Sequence, residues 1–258
     1  MIRALLWDVD GTLAETERDG HRVAFNEAFA AAGVPWRWSE ARYGELLAVA
    51  GGRERLLHDM RSQPQAPADA IARAQLAHHL HQLKNARYAA IVVRGALRLR
   101  AGVAALLADC MAGGVRLAIV TTTSRVNVQA LLGRQLGPNW AARFAAVVCA
   151  ADAPRKKPDP QAYLQGLAAL ALAPEEAVAV EDSPAGLEAA RRAHVPVLLT
   201  RSHYFPATVA AGALAAGPSL GQAHGWQPAA RASATRITLA QVAHWHAAQL
   251  PDRAARVS

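Results

Sequence analysis

The 258-residue sequence predicts an α/β fold: a Rossmann-like parallel sheet flanked by helices, with an all-helical domain inserted into it. Three observations carry this expectation. The apolar run Ala4-Leu5-Leu6-Trp7, in a strand expected over about residues 3–8, leads into Asp8-Val9-Asp10-Gly11-Thr12, the form of a buried strand that delivers side chains to its C-terminal edge. Residues 17–89 keep a helical pattern that no strand signal interrupts. After residue 100, short apolar runs alternate with helical stretches of about ten residues, the mark of parallel βαβ units.

Each element follows from its residues. Val23, Phe25, Phe29 and Ala30 start an amphipathic helix that Gly33-Val34-Pro35 stops. A second helix is expected over 39–49, broken by Gly51-Gly52, and a third over 54–61. Pro64 and Pro67 make 63–68 a loop, and a long helix covers 69–89. The chain thus divides into a discontinuous core, 1–16 with 90–258, and a helical insert, 17–89. In the core, a helix at 103–112 precedes a strand at 116–120, which ends in Thr121-Thr122-Thr123-Ser124. A helix at 126–136, a strand at 145–149 and a helix at 160–171 follow. The strand at 177–180 ends in Glu181-Asp182-Ser183; a helix at 185–193 and a strand at 195–199 complete the alternation. Open parallel sheets hold ligands at the carboxyl ends of their strands, where these polar residues gather. Beyond residue 206 the signal fades. Residues 217–231 read as loop, 239–250 as a final helix, and the Ala-rich tail as peripheral.

Composition narrows the function classes. Hydrophobic residues make up 52% and charged residues 19%, ordinary for a soluble globular protein. No apolar run approaches the roughly 20 residues of a membrane span. The apolar stretch between Arg3 and Asp8 is too short for a signal peptide. Cys110 and Cys149 form neither a metal-ligand spacing nor a disulfide framework, so a reducing, cytoplasmic setting is expected. The net charge of +8 is scattered Arg without an aromatic-basic platform, which argues against nucleic acid as partner. Such a field suits a multiply anionic small molecule, and no obligate protein partner is evident.

Four elements can carry chemistry. Alternation along a strand would point Asp8 and Asp10 the same way, and two adjacent like charges call for a cation or a shared proton. Two Asp beside a turn also serve as helix caps, and the local pattern leaves both readings open. Thr121 offers a hydroxyl to a phosphoryl oxygen or caps the next helix, for which Thr123 and Ser124 are better placed. In Lys156-Lys157-Pro158-Asp159-Pro160 the prolines stiffen the approach to a helix, so Lys157 is either a fixed charge for phosphate or a solvated lysine. Glu181-Asp182, with Asp8 and Asp10, would complete an oxygen cage for Mg²⁺, although Asp182 alone can act as a cap.

In this order and spacing, over residues 1–200, the four motifs resemble those of the haloacid-dehalogenase superfamily of phosphohydrolases. The insert after the first motif is similar to the helical cap of the beta-phosphoglucomutase-like branch. Leu13-Ala14-Glu15-Thr16-Glu17, His21-Arg22-Val23-Ala24-Phe25-Asn26, Tyr43 with Leu46-Leu47, Gly51-Gly52-Arg53-Glu54-Arg55, and Thr121-Thr122-Thr123-Ser124 with Asn127 resemble the CbbY-type proteins more narrowly. This resemblance implies a Mg²⁺-dependent phosphatase for a sugar bisphosphate, notably xylulose 1,5-bisphosphate. It implies Asp8 as the nucleophile that becomes an aspartyl-phosphate, and Asp10 as acid and then base. Mg²⁺ would be held by Asp8, the backbone carbonyl of Asp10 and Asp182, with Glu181 through water. Thr121 and Lys157 would neutralise phosphoryl oxygens. Glu17 and Tyr43 would bond sugar hydroxyls, Thr122 and Thr123 would line the substrate, and Arg53 beside Gly52 would bind the second phosphate. His21 has weaker claims, as a helix-face His is usually structural. Arg53 stands where Lys is often expected, which changes the geometry. The alternatives are a phosphosugar mutase and a phosphatase for a small monophosphate such as phosphoglycolate. A receiver-like signalling module fits less well, because it needs no cap and no second aspartate.

Overall fold

The computed structural model describes residues 1–249. Its centre is a six-stranded parallel sheet of order β3-β2-β1-β4-β5-β6. The strands are β1 (Ala4–Trp7), β2 (Arg116–Val120), β3 (Ala146–Val148), β4 (Ala177–Glu181), β5 (Val197–Thr200) and β6 (Ala215–Gly217). β1 and β4 are buried along their whole length, as central strands covered on both faces must be. Alternate residues feed two cores. Leu5, Trp7, Ile119 and Val180 face α5 (Val103–Ala112), α6 (Arg125–Leu136) and α9 (Leu239–Gln249). Leu6, Val120, Ala179 and Leu199 face α7 (Gln161–Leu170) and α8 (Pro184–Arg192). The sheet is extended outward from β1 in both directions, so β1 and β4 form a switch point. A crevice opens there beyond their carboxyl ends.

The insert leaves the core after Ala14 and returns at Leu99, and these two residues bridge each other. It comprises a π-helical turn Glu17–His21, α1 (Arg22–Ala31), α2 (Glu40–Leu46), α3 (Gly52–Asp59) and α4 (Ala70–Val93). Ser39 and Asp69 cap α2 and α4 by accepting from Arg42 N and Ala72 N. The insert has its own aromatic core of Phe25, Phe29, Trp36, Trp38 and Tyr43, in which Phe25 and Trp38 lie 4.6 Å apart.

Several expectations need correction. α4 continues past 89 to Val93, because nothing in Ala89-Ala90-Ile91-Val92-Val93 breaks a helix before Gly95, at φ 78°. Ile91 and Val92 are thereby buried in the sheet's core. α3 begins at Gly52, since the break lies at Gly51 alone, at φ 95°. Arg53 therefore sits in a helical first turn. The tail is not peripheral. β6 pairs with β5, and Trp226 stacks on Trp245 at 5.4 Å within the core. The segment Ala215-Ala216-Gly217 has no strand-like pattern of its own. Gly217 is required there because a Cβ would strike the Trp226 ring. The end of the expected last helix, Leu250, lies outside the described residues. Among the described residues no helix is long and apolar enough to cross a membrane.

Candidate active site

Asp8 is the first residue past β1 and is anchored by its N–H to Val180 O at 3.1 Å. Gly11, at φ 87°, turns the chain, and a Cβ there would collide with the Asp182 carboxylate. Asp8, Glu181 and Asp182 each bring a carboxylate oxygen within 4.8 Å of the others, all three buried. Lys157 joins them, donating to Asp8 Oδ1 at 2.7 Å, Glu181 Oε1 at 2.6 Å and Val120 O at 2.9 Å. Tyr163 donates to Glu181 Oε1 at 2.5 Å, and Thr12 to Asp182 Oδ1 at 3.3 Å.

Three buried acids thus face one ammonium. Burial pushes the Asp8 carboxyl up to about 7, with Lys157 opposing and Glu181 and Asp10 adding to the rise. Burial, then Asp8 and Glu181, hold the Asp182 carboxyl well above its usual range. Burial opposes the charge of Lys157, but Asp8 and Glu181 outweigh it and raise its pKa. Hard oxygen donors with uncompensated negative charge fit Mg²⁺.

Asp10 stands apart from this group. β1 ends at Trp7, so strand alternation does not extend to Asp8 and Asp10, and the turn sends the two carboxylates into different surroundings. Asp10 Oδ1 accepts from Thr16 Oγ1 at 2.6 Å and meets His21 Nε2 at 3.0 Å. Burial acts to raise its pKa, yet His21, Thr16 and Lys84 outweigh it and bring it to about 2. The Asp10 side chain is thus not part of the acidic group, which leaves its backbone carbonyl as its only expected contact with a metal.

Thr121 lies buried at the end of β2, its hydroxyl accepting from Thr123 N at 3.2 Å. Ser124 occupies the N-cap position of α6 without a side-chain cap bond. Two adjoining cavities, of about 280 and 490 Å³, share Asp10, Glu17, Arg55 and Thr122 as walls. The larger reaches Asp8 and Lys157, and the smaller reaches Gly52, Arg53, Thr123 and Lys156. Arg53 is exposed and has no ion pair among the described residues, whereas Lys156 bonds Glu54 at 2.7 Å.

Tyr43 departs from expectation. It is fully buried behind Glu17, to which its hydroxyl donates at 2.5 Å, and it is not a wall of either cavity. Arg55 donates to that hydroxyl at 2.8 Å and to Leu46 O at 3.1 Å. Sequence reasoning gave Arg55 no role and missed Lys84, which burial brings down to about 8 against the pull of Asp10 and Glu17. The signal for Lys84 was there: it interrupts the buried stripe Leu80, Lys84, Tyr88, Ile91 of α4. His21, stacked on Tyr88 at 4.3 Å and bonded to Asp10, belongs to the site more firmly than its sequence context suggested.

Comparison with known proteins identifies the family. Residues 2–194 match the family model described as haloacid dehalogenase-like hydrolase. The plasmid-borne protein CbbY of Cupriavidus necator is 42% identical over 220 residues, which cover 85% of this chain and 86% of that protein. A crystal structure of CbbY from Rhodobacter sphaeroides in complex with phosphate superposes with a TM-score of 0.83 at 37% identity, covering 94% of this chain and 100% of that one. A mutant of the same protein, in complex with xylulose-(1,5)bisphosphate, superposes with a TM-score of 0.81 at 36% identity, over 94% and 99% of the two chains. With core and helical insert both matched, the chain belongs to the haloacid dehalogenase-like hydrolases, on their CbbY branch, and is a phosphoric monoester hydrolase.

Proposed function

We propose that the enzyme hydrolyses a sugar bisphosphate, xylulose 1,5-bisphosphate, through an aspartyl-phosphate on Asp8. The observation that carries this reading is the pair of joined cavities with a cationic group toward each end. Lys157 lies beside Asp8 on the larger cavity, and Arg53 and Lys156 line the smaller. Cations in both cavities suit a substrate with two anionic groups, and the complex of the Rhodobacter relative supplies the sugar.

Asp8 attacks phosphorus, and the bond from phosphorus to the sugar oxygen breaks. Lys157 and Thr121 balance charge on the phosphoryl oxygens, while Lys157 keeps Asp8 oriented. Asp8, Asp182 and Glu181, with the Asp10 carbonyl, would hold Mg²⁺, which screens the repulsion between the attacking carboxylate and the phosphate. Asp10 gives its proton to the leaving oxygen and then takes one from the water that opens the intermediate. Free Asp10 is ionised, held down by His21 and Thr16. An incoming phosphate dianion raises its pKa, the direction that the acid role requires. Glu17 receives sugar hydroxyls, with Tyr43 and Arg55 fixing it from behind. Thr122 and Thr123 line the substrate, and Arg53 takes the distal phosphate.

The test is a panel of sugar mono- and bisphosphates with Mg²⁺. Xylulose 1,5-bisphosphate should exceed any monophosphate in kcat/KM by about tenfold or more, the worth of one charged contact. Excess chelator should abolish turnover and added Mg²⁺ restore it. Equal rates across the panel would refute the substrate, and full activity in chelator would refute the metal.

A further inference from the structure

Beyond β5 the chain leaves the sheet, meets the cap and returns. This crossing segment is tied at both ends to the turns that carry the carboxylates. At its start, Arg100 donates to Arg201 O and also to Gly11 O, the latter at 2.5 Å. At its end, the Thr208 hydroxyl lies 3.4 Å from Asp182 O and 3.2 Å from Phe205 O. Between these ties, His203 and Tyr204 reach the cap. The Tyr204 ring lies 5.8 Å from the Tyr43 ring and directly over Gly44, where a Cβ would sit 3.2 Å from Tyr204. His203 Nδ1 is 3.4 Å from Arg18, and Nε2 is 3.6 Å from Glu40. The Tyr204 hydroxyl is buried with the Arg22 guanidinium near it but no partner at hydrogen-bonding geometry among the described residues, so the position uses the ring.

Glu17, Tyr43 and Arg55 all belong to the cap and are bonded to one another through the Tyr43 hydroxyl. The backbone around Glu17 is held to the core by Thr16 and His21 on Asp10, and its carboxylate is aimed by Tyr43, whose place depends on how α2 is seated. At the base of the cap the boundary is crossed by Ala24, Tyr88, Ile91 and Val92, which join the core of the sheet, by His21 on Asp10 at 3.0 Å and by the Asn127–Asn85 bond at 3.3 Å; nearer α2 it carries the Lys156–Glu54 pair at 2.7 Å. Partly exposed ion pairs of this kind are weak and tolerate misplacement. A ring seated over a glycine is specific in shape.

We propose that Tyr204 is a positioning residue: by filling the hollow over Gly44 it seats α2 on the catalytic core and so holds the Tyr43–Glu17 pair over the substrate. The role rests on Glu17 as a substrate contact, and Tyr204 itself touches no reacting atom.

Three variants test it: Tyr204→Ala empties the hollow, Tyr204→Phe keeps the ring, and Gly44→Leu fills the hollow from the cap with Tyr204 in place. Two readouts are taken. One is kcat/KM on xylulose 1,5-bisphosphate and on p-nitrophenyl phosphate, which is too small to use the cap. The other is hydrogen exchange of the α2 amides. Tyr204→Ala and Gly44→Leu should lose about tenfold on the bisphosphate, chiefly through KM, with the aryl phosphate changed less than about twofold. Exchange in α2 should quicken while β1 and β4 stay protected, and Tyr204→Phe should match wild type in every readout. Equal losses on both substrates, or unchanged α2 exchange in both Tyr204→Ala and Gly44→Leu, would overturn the proposal. If wild type shows no preference for sugar bisphosphates but α2 exchange follows the ring, the seating stands and the sugar assignment falls.

Discussion

Asp8 illustrates how a nucleophile is kept in a place that disfavours its charge. Its folded pKa of about 7 lies above its ordinary 3.8, so the stability it contributes is full below that value and is lost as pH rises through 7. The metal-free protein should therefore lose stability across this window, and Asp8→Asn should remove that slope. At pH 8 in chelator we expect the variant to melt about 2–8 °C higher, the shift for roughly 1–2 kcal/mol in a chain of this size, while turnover disappears. A lower melting point at pH 8 would show that Lys157 more than compensates the three acids. Arg53 and Arg55 separate two functions two residues apart. Arg53→Ala should cost roughly ten- to a hundredfold in kcat/KM on a bisphosphate and little on a monophosphate. Arg55→Ala should harm both, because it frees Tyr43 and Glu17. Equal losses from Arg53→Ala on both substrates would return it to a solvated surface charge.

At the scale of elements, the turn after β1 is the demanding piece. Gly11 combines a positive φ with the nearness of Asp182, so Gly11→Ala meets both backbone strain and a displaced metal carboxylate. Gly33 also has positive φ, 67°, but open space around it. Each change should lower stability by about 1 kcal/mol or more through strain, but only Gly11→Ala should weaken Mg²⁺ binding in a calorimetric titration. Equal metal affinity in the two variants would disprove the close fit between the turn and Asp182. The legibility of elements follows the same distinction between local and distant causes. Strands β1, β2 and β4 were readable because an apolar run between polar ends is a local pattern. The strand Ala215–Gly217 was not, because its ladder to β5 and its cover by Trp226 come from elsewhere in the chain.

For the whole molecule, the tail behaves as part of the catalytic domain. Trp245 is buried against Trp226 beside Ile237 and Val242. Trp245→Ala should therefore cost about 3–5 kcal/mol in urea unfolding, the usual loss for a buried aromatic. A loss below about 1 kcal/mol would mean that the tail merely covers the surface. The cap, by contrast, owns a separate aromatic core, and this permits it to act as one body above the switch point.

The sequence by itself determined the order of the motifs, the parallel alternation and the helical insert, and it set Asp8, Lys157, Glu181 and Asp182 in motifs that the family resemblance groups together. All of these depend on residue type and short-range spacing. Only the tertiary structure decided what each group faces. It turned Asp10 toward Thr16 and His21, put Tyr43 behind Glu17, brought Arg55 and Lys84 to the cavity and carried Tyr204 from the end of β5 onto Gly44. The reason is physical: burial and partner charge set the state of each side chain, and those partners lie on other elements of the fold.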